Sequence, residues 1–139
     1  MRRCHACMLD KKKLTIKSVI DDNDATVERY FCRFEKTADE YKLIYNQPLY
    51  NGKSETVITV AGHSATMTRQ TPHKTELSFI VGENTVGSYY TGLAETPVNI
   101  TATRVSADES DENTKIRLHY TIDGLSDKPM NVKLCLTVE

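Results

Sequence analysis

The sequence predicts an all-β protein built from antiparallel strands, and three observations carry that prediction. The first is alternation. Between Thr114 and Glu139, Ile116, Leu118, Tyr120 and Ile122 fall at every second position, as do Met130, Val132, Leu134, Leu136 and Val138. The residues between them are mostly Lys, Arg, His, Asn and Thr, which is the period of a strand with one dry face and one wet face. The second is that runs of this kind recur along the chain between turn signals such as Asp123-Gly124, Asn51-Gly52 and Gly82-Glu83-Asn84. The third is that the joins are short, whereas parallel strands need crossovers of about a dozen residues or more.

The elements follow in order. Residues 1–11 form a lead without periodicity, and its Cys4 and Cys7 have no second ligand pair at the spacing of a structural zinc site. Leu14 and Ile16 share a side in Lys12–Ile20, a first strand, and Asp21 to Asp24 are turn chemistry. Thr26–Thr37 is ambiguous. Val27, Tyr30, Phe31 and Phe34 fit a helical progression, while Tyr30, Cys32 and Phe34 alternate as in a strand; enrichment in Thr, Val, Tyr and Phe favours strand. Tyr41, Leu43 and Tyr45 then share one face of a strand that Pro48 stops or marks as an edge.

Asn51-Gly52 is the strongest hairpin signal, because both residues accept positive φ. Ser54–Ala61 leaves that turn, Gly62 breaks it, and Ser64–Gln70 returns to a turn at Thr71, Pro72 and His73. Leu77, Phe79 and Val81 are in phase in the next strand. Thr85–Gly92 follows, with Gly87 leaving room for a neighbouring chain or ligand to come close. Val98, Ile100 and Ala102 share a face, and Ser106–Asn113 is expected as a solvated acidic loop, since it lacks the glycine and terminal glutamate of an EF-hand. The total is about nine or ten strands of roughly 6 to 12 residues.

A chain of 139 residues suits one domain, here residues 12–139 after the lead. With 18 basic and 19 acidic side chains and a net charge of -1, it carries no global attraction for nucleic acid or acidic membranes, and neither is expected as a partner. No apolar run approaches the roughly 20 residues of a membrane span, so the expected location is the cytoplasm, where the four cysteines stay reduced. A Cys32–Cys135 disulfide has no support in the sequence.

Tyr45 with Asn51-Gly52, the run TVITV, Arg69, Phe79 with Gly82, and Tyr89-Tyr90-Thr91 ahead of KIRLHYTI and VKLCLTV together resemble the bacterial DUF1934 family, the YwiB-like proteins, over about residues 12–138. The resemblance implies a calycin-like, lipocalin-like antiparallel barrel of about 8–10 strands and resolves Thr26–Thr37 as strand. Two departures stand out. Arg69-Gln70-Thr71 replaces the family's Arg-x-Gly, and Tyr89 to Ala94 lacks the glycine that closes its Tyr-x-Thr-x-x-Gly. A two-sheet sandwich remains the alternative architecture, since alternation specifies half-buried strands without specifying closure.

A barrel of this size either packs solid or holds one small ligand. Arg69 follows Met67 and Ala65 at alternate positions, so its guanidinium falls on an apolar-leaning face, where a charge needs a partner. The candidate ligand site is therefore Arg69 with hydroxyls from Tyr45, Tyr89 and Thr91, joined by Tyr120 in the dry register of its strand. The expected ligand is small, partly apolar or anionic. Against it stands a solid-packed structural or interaction module, with Arg69 satisfied by backbone carbonyls, Glu83 or Glu95. No metal, cofactor or catalytic set is expected: neither G-x-S-x-G nor H-E-x-x-H is present. The chain is expected as a monomer, or as a homodimer if an edge strand before Asn51-Gly52 stays open.

Overall fold

Each strand is bonded on both sides, which leaves the sheet without an edge. The computed structural model describes residues 11–49, 52–70 and 73–139, and over them the chain is strand joined by turns, with no helix. Residues 1–10, with Cys4 and Cys7, lie outside the described residues, and Lys11, expected as the end of the lead, opens the first strand. Ten strands run β1 (Lys11–Ile20), β2 (Thr26–Lys36), β3 (Tyr41–Leu49), β4 (Gly52–Ala61), β5 (Ser64–Arg69), β6 (Thr75–Ile80), β7 (Asn84–Tyr90), β8 (Glu95–Glu109), β9 (Thr114–Asp123) and β10 (Met130–Val138). Each pairs antiparallel with the next, and β10 pairs with β1, so the sheet closes into a barrel. Closure excludes the sandwich, and it leaves no open edge of the kind on which the homodimer expectation was conditional. Pro48 is no stop either: it sits within β3, opposite Lys53.

The ambiguous stretch is strand β2, registered against β1 from Lys11↔Arg33 to Ser18↔Thr26. Its Tyr30, Cys32 and Phe34 belong to the inward set, as the strand alternation would have it. The β1–β2 turn uses Asp21 and Asp22 at φ 52° and 61°, a conformation that Asp tolerates because its short side chain bonds locally. Asp21 instead bonds across the sheet end, its carboxylate accepting from the Asn131 amide at 2.8 Å.

Three boundaries differ from expectation. Gly52 is already the first residue of β4, opposite Leu49, while Asn51 lies outside the described residues, as do Thr71 and Pro72. Val81 leaves the phase of Leu77 and Phe79: it lies just beyond β6 and makes an isolated parallel bridge to Ala102. Half of the expected acidic loop is strand, because β8 runs on to Glu109 and only Ser110 to Asn113 turn. Backbone pairing with β9 from Ser106↔Arg117 to Glu109↔Thr114 holds that extension, and exposed ion pairs flank it, Asp108 accepting from Arg117 on β9 at 3.3 Å and Glu109 from Lys36 on β2 at 2.6 Å. Inside β8 a bulge between Ala102 and Arg104 shifts the register, so the inward set passes from Val98, Ile100 and Ala102 to Val105.

The strands that rise from β1, β3, β5, β7 and β9 end at one rim, and the others end at the opposite rim. Toward the second rim the interior is solid. Leu43, Phe79, Ile100, Ile116 and Leu118 are completely buried there, interdigitating from four strands as a close-packed core requires. The first rim is filled differently.

Candidate functional site

Near the first rim the inward positions change from large apolar to polar residues: Ser18 on β1, Glu28 on β2, Gln47 on β3, Thr56 on β4 and Arg69 on β5. Register brings two of the group, Thr56 and Arg69, into one row with Tyr45. Tyr45 lies opposite Thr56, and Thr56 lies opposite Arg69. All three side chains point into the barrel, since their neighbours Leu43, Ile58 and Met67 two positions away are buried in the same interior.

This end encloses a cavity of about 250 Å³. Its apolar floor is formed by Ile58, Met67, Leu77 and Leu136, and its walls by Tyr45, Tyr89, Tyr120, Arg69, Glu28 and Gln47. The floor residues are buried, whereas Glu28, Gln47, Arg69 and Tyr89 are partly exposed, so the cavity meets solvent at the rim. Four of the five residues expected from sequence, Arg69, Tyr45, Tyr89 and Tyr120, line it. Thr91 does not. It follows β7 in the turn to β8, exposed, where its hydroxyl bonds the Ala94 carbonyl at 3.3 Å.

Arg69 donates from Nε to the Thr56 hydroxyl at 2.9 Å. Its guanidinium makes no ion pair among the described residues. Glu95, one of the carboxylates expected to satisfy it, instead accepts from the Lys74 amide at 3.1 Å. Glu28 is fixed separately: the Tyr30 hydroxyl donates to its carboxylate at 2.9 Å, and Gln47 donates to the Tyr30 oxygen at 3.0 Å. The Tyr30 and Tyr45 rings stack at 5.2 Å between these two groups.

The tyrosine hydroxyls record this environment. Burial raises the pKa of Tyr45; the Arg69 guanidinium and the Thr56 hydroxyl beside it pull the other way, while the Glu28 charge adds to the rise. Tyr120 is held far above the ordinary phenol value by burial, with Tyr89 adding and Arg69 opposing, and its ring packs at 4.7 Å against Phe79 on the cavity's inner side. Both hydroxyls therefore stay protonated and can donate hydrogen bonds into the cavity.

Glu28 and Gln47 were missed by sequence reasoning. Glu28 lies on the alternation of Tyr30 and Cys32, but the facing of β2 could not be assigned while helix and strand competed for it; Gln47 continues the face of Leu43 and Tyr45 on β3 and could have been found from that alternation.

A wider hollow of about 560 Å³ lies on the outer wall, floored by β1, β9 and β10 and lined by Lys17, Arg29, Lys115, Arg117 and Lys133. The balanced total charge conceals this basic face. Two of its cations are already matched at its margin, Arg117 by Asp108 and Lys133 by Asp22. Among the described residues no three His, Cys, Asp or Glu side chains group as metal ligands.

The family described as "Domain of unknown function (DUF1934)" matches residues 13–136. The chain belongs to that family. The crystal structure of the ywiB protein from Bacillus subtilis is similar to this DUF1934 chain with a TM-score of 0.76, at 20% sequence identity over 94% of this chain and 91% of that one. A likeness at that identity shows a shared fold and carries no activity with it. No curated protein matches the chain.

Proposed function

We propose that this DUF1934 barrel binds a small, partly apolar, anionic molecule without covalent chemistry, at its polar rim and in the manner of calycins. One observation carries the proposal: Arg69 is aimed into a cavity with an apolar floor, anchored through Nε by Thr56, and has no carboxylate partner among the described residues. A guanidinium in such a place attracts a carboxylate or phosphate that can take its remaining N–H donors in a fork. The phenols of Tyr45 and Tyr120 supply further donors, while Ile58, Met67, Leu77 and Leu136 receive the apolar part. At about 250 Å³ the cavity is smaller than the roughly 300 Å³ at which drug-sized sites begin, so the ligand has few atoms.

The free thiols of Cys32 and Cys135 suit a reducing compartment such as the cytoplasm. No helix among the described residues is long and apolar enough to cross a membrane. The alternative, a structural or interaction module, is favoured by the solid packing of the opposite half, where Leu43 and Phe79 are fully buried.

Calorimetric titration with 4-methylpentanoate and 3-phenylpropanoate tests the proposal. Binding is expected, weakened about tenfold or more in Arg69→Ala through loss of a charged hydrogen bond. If both acids bind a folded Arg69→Ala variant as tightly as they bind the parent chain, the anion site fails and the module reading takes its place.

A further inference from the structure

We infer that the ligand of this cavity is a zwitterion of the free amino-acid type, whose carboxylate meets Arg69 and whose ammonium group meets Glu28. The inference rests on the cavity proposed above and adds a second recognition group to it.

The argument begins with two opposite charges in one small space that do not pair. Glu28 and Arg69 both line the cavity, yet no ion pair forms between them. Attraction between such groups strengthens as water is excluded, so side chains this long would be expected to close on each other if nothing held them. Both are held. Tyr30, itself bonded by Gln47, tethers Glu28 to the β2–β3 side, and Thr56 tethers Arg69 to the β4–β5 side. Tyr45 stands between, its phenol within the field of both charges.

Selectivity follows from this separation. A simple carboxylate entering for Arg69 brings its charge toward Glu28 in the same cavity, an approach of like charges. An ammonium group one carbon away from that carboxylate turns the penalty into attraction, because Glu28 is acceptor-only and keeps lone pairs beyond the one that Tyr30 uses. The cavity therefore discriminates against the bare anion as well as favouring the zwitterion. The apolar floor of Ile58, Met67, Leu77 and Leu136 takes a hydrocarbon side chain.

The test compares matched pairs by calorimetry on the full chain: L-leucine with 4-methylpentanoate, and L-phenylalanine with 3-phenylpropanoate. Each amino acid is expected to bind about tenfold or more tightly than its deaminated partner. In Glu28→Gln that gap closes because the amino acids weaken, while the deaminated acids hold or tighten. Tyr30→Phe, which removes the tether and leaves the carboxylate, is expected to narrow the gap in the same direction, and it keeps the test in force if Glu28→Gln does not fold. Deaminated acids that bind as well as the amino acids overturn the zwitterion inference and leave the anion site standing. An unchanged gap in both folded variants overturns the role of Glu28. Failure of all four compounds to bind overturns both.

Discussion

Tyr120 places a phenol inside the barrel where its ionised form is poorly solvated, and stability should register that. Burial is the main cause of its raised pKa, as it is for Tyr45. In the unfolded chain both titrate near the ordinary value of about 10. Above that pH the unfolded state releases protons that the folded state still holds, so the unfolded state is favoured as pH rises. The contribution is complete below about pH 10 and is lost from there up to the folded pKa, at about 1.4 kcal/mol per pH unit for each group. Urea unfolding between about pH 8 and 11.5 is expected to show a shallower alkaline decline for Tyr120→Phe than for the parent chain. Equal slopes would mean that the phenol is better solvated than its position implies. Cys32 shares this setting: it is buried, and its thiol is pushed up to about 11 by desolvation, whereas Cys135 on the opposite face of its strand is partly exposed.

Among the elements, β6 and β7 make the thinnest seam of the barrel. Their ladder has a single registered pair, Glu76↔Ser88. Side-chain hydroxyls bridge the remainder: Thr75 accepts from the Tyr90 amide at 3.0 Å, and Thr85 donates to the Ser78 carbonyl. Gly87 permits this approach, since a Cβ there would run into the Glu76 carbonyl oxygen and lie against Leu77. The gap expected at Gly87 from sequence is thus occupied by the backbone of β6. Gly87→Ala should force the two strands apart and destabilise the fold by about 1–3 kcal/mol. Hydrogen exchange should quicken in β6 and β7 while β9 and β10 keep their protection. Uniform quickening, or a variant as stable as the parent, would show that the seam can give at no cost.

For the molecule as a whole, closure and the unequal filling of its two ends set the division between stability and binding. Leu43 has no exposed surface and packs in the solid half, so Leu43→Ala leaves a hole that rigid neighbours cannot fill, at about 2–5 kcal/mol. Met67 borders the cavity. Met67→Ala enlarges a space that already reaches solvent and should cost less than Leu43→Ala by about 1 kcal/mol or more, while shifting the preferred ligand toward bulkier hydrocarbon. Equal costs in denaturant titrations would indicate a barrel packed to the same density at both ends.

Much of the architecture was present in the order of residues, because side chains alternate along a strand with period two and the chain cannot bury one of a pair without exposing the next. That constraint assigned Ile116, Leu118, Tyr120 and Ile122 to the interior and put Arg69 on the same side as Met67 and Ala65. Local turn chemistry located most strand ends, Asp21-Asp22 and Gly62 among them. Other features depend on partners far along the chain. Pairing of β10 with β1 made the sheet a barrel, and the ladder to Lys115 and Arg117 drew Ser106–Glu109 into β8. Register across three strands aligned Tyr45, Thr56 and Arg69. The resolution of β2 as strand turned Glu28 toward the same cavity as Arg69, though the two stand 41 positions apart (69 − 28 = 41). Alternation acts between neighbours and is written in the sequence; closure, register and the meeting of two distant charges are cooperative outcomes of the whole sheet, and only the tertiary structure decided them.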